Sequence, residues 1–397
     1  MKCKFTKQPI KKLFSYGSMP IANGFINKDQ IDKEFFYDLS VGFSEDISLF
    51  QINDHPSVES MFNDKYPFFT SKSAYMVNHF ENFADSLYTK KLLDNSSNVL
   101  EIGSNDGTFL SKINKYTKSV LGVEPSTNVY NIAVKKGINS INSFFSLETS
   151  NGILSKYNQF DLVVAANVIC HIPDIKDLFL GIKNILKEDG SFVFEEPYLL
   201  DMFKKTSYDQ IYDEHIYIFS LSAIENICKE IGLNLYHAEK QETHGGSMRY
   251  FISKNINKTS EVLALIEEEK LFQLDKIETA IRFCENCEIS KKILNAKINS
   301  ILDKNKRICG YGATSKSTTI LNYCKINNDQ IEYIVDNTPE KQNLLTPGTH
   351  IPIYDISKFK EDTIEYVFLF AWNHEKEITN KEQNFIKRGG KFFNHLF

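Results

Sequence analysis

Residues 99–109 read Val-Leu-Glu-Ile-Gly-Ser-Asn-Asp-Gly-Thr-Phe, and no other stretch limits the possible folds as much. Val99-Leu100-Glu101-Ile102 is short, apolar and β-prone, which suits a buried parallel strand. Gly103-Ser104-Asn105-Asp106-Gly107 turns sharply, and 108–113 has helical spacing. Glycine at the strand exit lets a ligand approach backbone without meeting a Cβ, and the helix start offers free N–H groups. Such strand–turn–helix units occur throughout nucleotide-binding α/β folds.

Two adenosine cofactors compete for this unit. A dinucleotide site usually shows G-x-G-x-x-G, with its pyrophosphate on the helix N-terminus. Here the third glycine is missing and the loop carries Asp106, which would repel phosphate but not the cationic methionine end of S-adenosylmethionine (SAM). Glu124 in GVEPS lies twenty-one residues after Gly103, where a carboxylate can accept both ribose hydroxyls. The pattern therefore favours SAM.

Around this unit the chain alternates strand and helix. Strand candidates are 98–102, 119–124, 138–142, 160–167 and 190–195, with helices at 126–135 and 174–187 between them. This rhythm predicts an α/β fold with a doubly wound parallel sheet. A polar, aromatic insertion at 201–220 breaks it, and a helix at 220–231 with strand pieces 233–238 and 248–253 closes the sheet. Residues 1–85 read as an irregular module with β-like pieces at 36–41 and 47–51, and 70–93 has helical periodicity leading into a domain spanning 86–257. Residues 258–303 form a charged helical linker, and 304–397 a second Rossmann-like unit with strands near 307–312, 331–335 and 364–370 and a helix at 315–325.

The net charge of −5 gives no footprint for nucleic acid or an anionic membrane. No apolar run approaches the ~20 residues that span a bilayer, and the N-terminus lacks the apolar core of a secretory signal. Seven scattered cysteines favour free thiols in a reducing cytoplasm.

The motifs EIGSNDGTFL, GVEPS, NVICHIPDI, YDEHIYIFS, THGGSMRYF, GYGATSKSTTILNYC, TPGTHIPI and AWN follow one another in order. In this the chain resembles the SAM-dependent nucleotide-sugar C-methyltransferases, similar to the deoxysugar C-3 and C-5 methyltransferases. The resemblance implies a class I methyltransferase core between a small N-terminal module and a second Rossmann-like domain. It also implies a nucleotide-linked 4-keto sugar as acceptor, methylated on carbon through an enolate. His215 matches the family's base, with Glu214 beside it; His171 could hold the enolate oxygen, and Tyr212 and Tyr66 (or Tyr75) line the sugar pocket. The cofactor would meet Glu101, Gly103, Ser104, Asn105, Asp106, Gly107, Glu124, Pro125, Phe144 and Asn167. The acceptor would meet His244, Gly245, Ser247 and Arg249, and its diphosphate the turn with Tyr311, Gly312, Ala313 and Lys316, with Asn322 nearby; Asp336 resembles a ribose acid.

Two departures stand out. The family's N-terminal module usually carries zinc on two C-x-x-C pairs, but here only Cys3 remains, with Thr6, Ser44 and Ile47 at the other three positions. One thiolate cannot supply a four-ligand site, so no zinc and no other metal is expected. Cys284 and Cys287 fall within the linker helix and read as part of its face. Asp213 also replaces a frequent histidine, leaving the regiochemistry open. O- or N-methylation of a sugar, or non-catalytic binding of SAM or a nucleotide sugar, remain alternatives. The expected partner is the nucleotide sugar alone, in a cytoplasmic monomer or loose dimer.

Overall fold

The computed structural model describes residues 1–64, 66 and 68–396. Its middle sheet has seven strands in the spatial order Ser140–Ile141, Ser119–Val123, Asn98–Ile102, Phe160–Ala166, Leu186–Pro197, Ser247–Ser253, Asn234–Gln241. All neighbours pair in parallel except around Ser247–Ser253, which runs antiparallel to both of its neighbours. The chain leaves Asn98–Ile102 toward one edge and returns on its other side at Phe160–Ala166. Strand order therefore reverses between these two, and the crevice beyond their carboxyl ends is where open α/β sheets bind ligands. Gly103 and Asn167 stand at those two ends. Val99, Leu100, Leu162, Val163 and Val164 are fully buried, as helices on both faces require.

The N-terminal module is more regular than its sequence suggested. Lys12–Pro20, Phe36–Ser44 and Leu49–Ile52 form an antiparallel sheet, and its fourth strand is Tyr217–Ile218 from the insertion. The module is thus completed by residues far along the chain, which local periodicity cannot reveal. Cys3 is buried there, accepting the Thr6 N–H at 3.4 Å, while Ser44 ends a strand and Ile47 is packed inside. The helix Ala74–Thr89 then packs on Thr108–Ile113 behind the glycine turn.

The linker is two helices, Ser260–Leu271 and Ile277–Leu302. The second packs on the N-terminal sheet, with Cys284 and Cys287 buried and the Cys287 Sγ 3.6 Å from the Tyr16 hydroxyl. All seven cysteines are free. The last sheet is parallel, in the order Ile353–Tyr354, Ile334–Val335, Ile308–Tyr311, Tyr366–Leu369, Lys391–Phe393. Its first and last strands are two and three residues long, too short for an apolar pattern to register. One continuous apolar core runs through all three sheets. Among the described residues, no helix is long and apolar enough to cross a membrane.

Candidate active site

A cavity of about 790 Å³ opens at the crevice, walled by the middle sheet, the N-terminal module, the insertion and the C-terminal domain. One end is built by the glycine turn. Gly103 takes φ +68°, and a Cβ there would overlap the Val168 side chain, so both conformation and space demand glycine. Asn105, also left-handed at φ +48°, donates its N–H to Glu124 Oε2 at 2.9 Å, and Ser126 N donates to Oε1 at 2.8 Å. Burial raises the Glu124 carboxyl against these two bonds. Glu101 faces the same space with Oε2 lacking a partner, and burial, Glu124 and Asp106 together push its carboxyl well above the ordinary range. Ser104 Oγ and Asn167 Oδ1 are likewise buried and unpartnered on this wall, with Pro125 and Phe144 at its rim.

Buried polar atoms without partners are costly, so such a wall suits a ligand that supplies both cationic and hydroxyl groups. SAM carries both, an ammonium and ribose hydroxyls. Asp106 is elsewhere. It is fully buried away from the cavity, accepting from Ser71 N at 3.1 Å and Thr108 Oγ1 at 2.6 Å, with Lys136 at 3.5 Å. It ties the turn to the segment before the first helix, and Gly107, at φ +76°, caps the helix start. Of the two acids at the turn, Glu101 is the one that faces the cavity.

The other end carries the histidines. His215 Nδ1 lies 2.7 Å from the Gln210 carbonyl oxygen, so Nδ1 must hold the proton and donate it. Its Nε2 is then bare and accepts from the Tyr212 hydroxyl at 2.7 Å. Burial, with His171 close by, holds the imidazole well below its usual value, so it is neutral at neutral pH. His171 stacks on His215 at 5.5 Å and on Phe62 at 5.4 Å; its Nε2 has no partner, and burial lowers its pKa to about 3. Glu214 accepts from Asn23 Nδ2 at 2.6 Å, and burial raises its carboxyl. Asp213 turns outward from the cavity to accept Ala22 N at 2.9 Å, anchoring the insertion to the N-terminal module. Tyr66 lines the cavity, whereas Tyr75 is 41% exposed and packs on His374.

Cys170, His171 and His215 place ligand-type atoms within 4.8 Å of one another. They do not fit a metal. Both nitrogens of His215 are hydrogen-bonded, and burial and Glu196 raise the Cys170 thiol so that it stays protonated.

The residues expected to meet the acceptor divide sharply. His244 and Lys316 line the cavity. Arg249 does not: its guanidinium bonds Glu195 at 2.9 and 3.2 Å and lies 3.8 Å over the Phe83 ring. Ser247 is fully buried, donating to the Thr243 carbonyl, and Gly245 is covered by the Trp372 indole. Tyr311 points into its own domain, toward Glu382 at 3.2 Å. Gly312 N and Ala313 N are spent on the Val335 carbonyl and on Asp336 Oδ2, both at 2.8 Å, so that turn offers a ligand little backbone. Asn322 does not line the cavity and donates to the Thr318 and Pro347 carbonyls. Of this group the sequence missed Lys341, which lines the cavity and donates to the Ala313 carbonyl at 2.7 Å. It also missed Asn23 and Phe62, which sit in stretches without any motif.

Residues 78–238 match the family described as a methyltransferase domain, and 242–396 the C-methyltransferase C-terminal domain. The chain is 26% identical to the C-methyltransferase NovU of Streptomyces niveus over 382 residues, 95% of this chain and 91% of that protein. Among solved structures it is similar to a SAM-dependent methyltransferase from Clostridium acetobutylicum, at 16% identity, 45% and 91% coverage and a TM-score of 0.35. A possible histamine N-methyltransferase from Thermotoga maritima matches at 18% identity, 46% and 92% coverage and a TM-score of 0.36. A match across almost the whole chain, with both domain models in order, sets the assignment: the chain is a SAM-dependent methyltransferase, similar along its length to a C-methyltransferase.

Proposed function

We propose that the acceptor is a nucleotide-linked 4-keto sugar, and that His215 removes the proton from a carbon next to the ketone. One observation carries this reading: the bare Nε2 of a neutral, buried imidazole, its other nitrogen fixed by the Gln210 carbonyl, faces the cavity that also holds the SAM wall. A carbon acid is weak, so the base must be positioned and the developing oxyanion stabilised. The Tyr212 hydroxyl now occupies Nε2. An arriving acceptor frees that lone pair and receives the phenol as a donor to its ketone oxygen. His171, in its Nε2–H form, supplies a second donor, and Glu214, held by Asn23, orients a sugar hydroxyl. Glu101 and Glu124 hold the cofactor's ammonium and ribose. When bound, SAM supplies an electrophilic methyl group to the carbon so activated.

Lys316 and Lys341 give the far end of the cavity two cations in surroundings that otherwise lower their charge by burial. A diphosphate would offset that cost, which is why the acceptor is read as a nucleotide sugar rather than a free one. The experiment is direct: SAM with a panel of TDP-, GDP- and CDP-linked 4-keto sugars, read by mass for the gain of one methyl. Deuterium from solvent should also enter the reacting carbon. Tight SAM binding with no methylated product from any of them would overturn the reading.

A further inference from the structure

The carbonyl that fixes His215 belongs to Gln210, and a peptide carbonyl is aimed only as well as the peptide units on either side of it. Both sides are tied to the C-terminal domain. On one side Asp209 is fully buried; Trp372 Nε1 donates to its Oδ2 at 2.6 Å, and His395 Nε2 lies 3.2 Å from its Oδ1. On the other, Thr319 Oγ1 donates to the Ile211 carbonyl at 2.9 Å. Burial alone would raise the Asp209 carboxyl, yet His395, Lys316 and Trp372 outweigh it and hold the group ionised. A buried, paired carboxylate adds little net stability over an apolar residue of similar size; what it adds is orientation. Trp372 is the centre of the AWN motif, and Lys316 Nζ rides 4.9 Å above its ring.

We propose that Asp209, held by the Trp372 indole with His395 close beside it, acts with the Thr319–Ile211 bond to aim the Gln210 carbonyl and so keep His215 in its Nδ1–H tautomer. Asp209, Trp372 and Thr319 are positioning residues, and the domain that carries the acceptor's cations also sets the base. The inference rests on the reading of His215 as the base, but its test does not.

The full-length chain is labelled with 15N-histidine, and the His215 nitrogens are identified by their loss in His215→Asn. The native protein should show one protonated Nδ1 and a bare Nε2. In Trp372→Phe and Thr319→Val that single-tautomer pattern should give way to a mixture, while affinity for SAM stays within about twofold. A merely structural role would not move the tautomer in a variant that still binds SAM. Thr319→Val is nearly isosteric and decides the matter if Trp372→Phe does not fold. An unchanged His215 pattern in either folded variant would overturn the inference. Failure of the base reading shows separately, as solvent deuterium still entering a 4-keto sugar in His215→Asn.

Discussion

The two ends of the cavity are built differently. The end read as the SAM site comes mainly from one continuous strand–turn–helix and the tips of its two neighbouring strands, at Glu124 and Asn167, so Gly103, Ser104, Asn105 and Glu124 are placed by short, regular stretches of the sheet. The proposed acceptor end draws on segments spread along the chain: Asn23, Phe62 and Tyr66, His171, Tyr212 with Glu214 and His215, His244, Lys316 and Lys341. A local motif can specify a cofactor shared by many enzymes. Selecting one acceptor and one reacting carbon takes groups that converge from several parts of the fold.

His215→Asn tests the contrast most severely. Methyl transfer should fall by about 10³-fold or more, with SAM affinity unchanged, as expected for loss of a positioned base. Comparable loss of SAM binding would mean that the two ends are not separable. Arg249→Met comes next. Removing one partner of a buried ion pair costs about 3–5 kcal/mol, so urea unfolding should shift strongly while the acceptor KM of the remaining folded enzyme holds. A raised KM with native stability would return Arg249 to the acceptor.

The same pair predicts a pH effect. Burial would raise the Glu195 carboxyl, but His79, Arg249 and Thr243 outweigh it and hold it at about 2, against 4.5 for a free group. The stability this gives is complete above the free value and is lost as pH falls from 4.5 toward 2. Glu196 beside it is raised by burial to about 7, so its contribution runs the other way and is lost as pH rises from 4.5 through 7. Urea titrations of Glu195→Gln and Glu196→Gln should each flatten one limb; a native stability curve flat across both would break the assignment.

Glu101→Gln should weaken SAM by about 10–100-fold through loss of a charged hydrogen bond. The apo protein should melt higher, because one of three clustered carboxylates is gone. Calorimetry and thermal melts read both. The smallest effect is expected of Lys341→Met: an acceptor KM raised about tenfold, with SAM binding intact. An unchanged KM across all the nucleotide sugars would remove Lys341 from the acceptor end.

Much of the fold was legible because the middle domain's signals are local. A buried strand of apolar residues, a glycine turn and an amphipathic helix each declare themselves within a few residues, and their alternation implies the sheet. The N-terminal sheet was hidden because its closing strand, Tyr217–Ile218, is two residues long and lies some 165 positions after Leu49–Ile52. Chemistry misled where a charged side chain had two possible partners. Asp106 and Glu101 are both acids at the turn, and only the backbone path aims Glu101 at the cavity and Asp106 at Ser71 and Thr108. Arg249 follows the same rule: its sequence neighbours are those of a substrate loop, but Glu195 on the adjacent strand claims it.

By itself, then, the sequence determined the cofactor turn, the alternating core and the presence of a histidine beside an acid in the insertion, because these depend on residues near one another in the chain. The tertiary structure decided which nitrogen of His215 is bare, which acid of the turn faces the cavity and which lysines line it. Those outcomes depend on how the chain turns, as between Gln210 and His215 five residues apart, and on partners far along it, as Trp372 is to Asp209. Burial in a shared cavity then makes each pairing matter, since an unpaired polar group there has no water to fall back on.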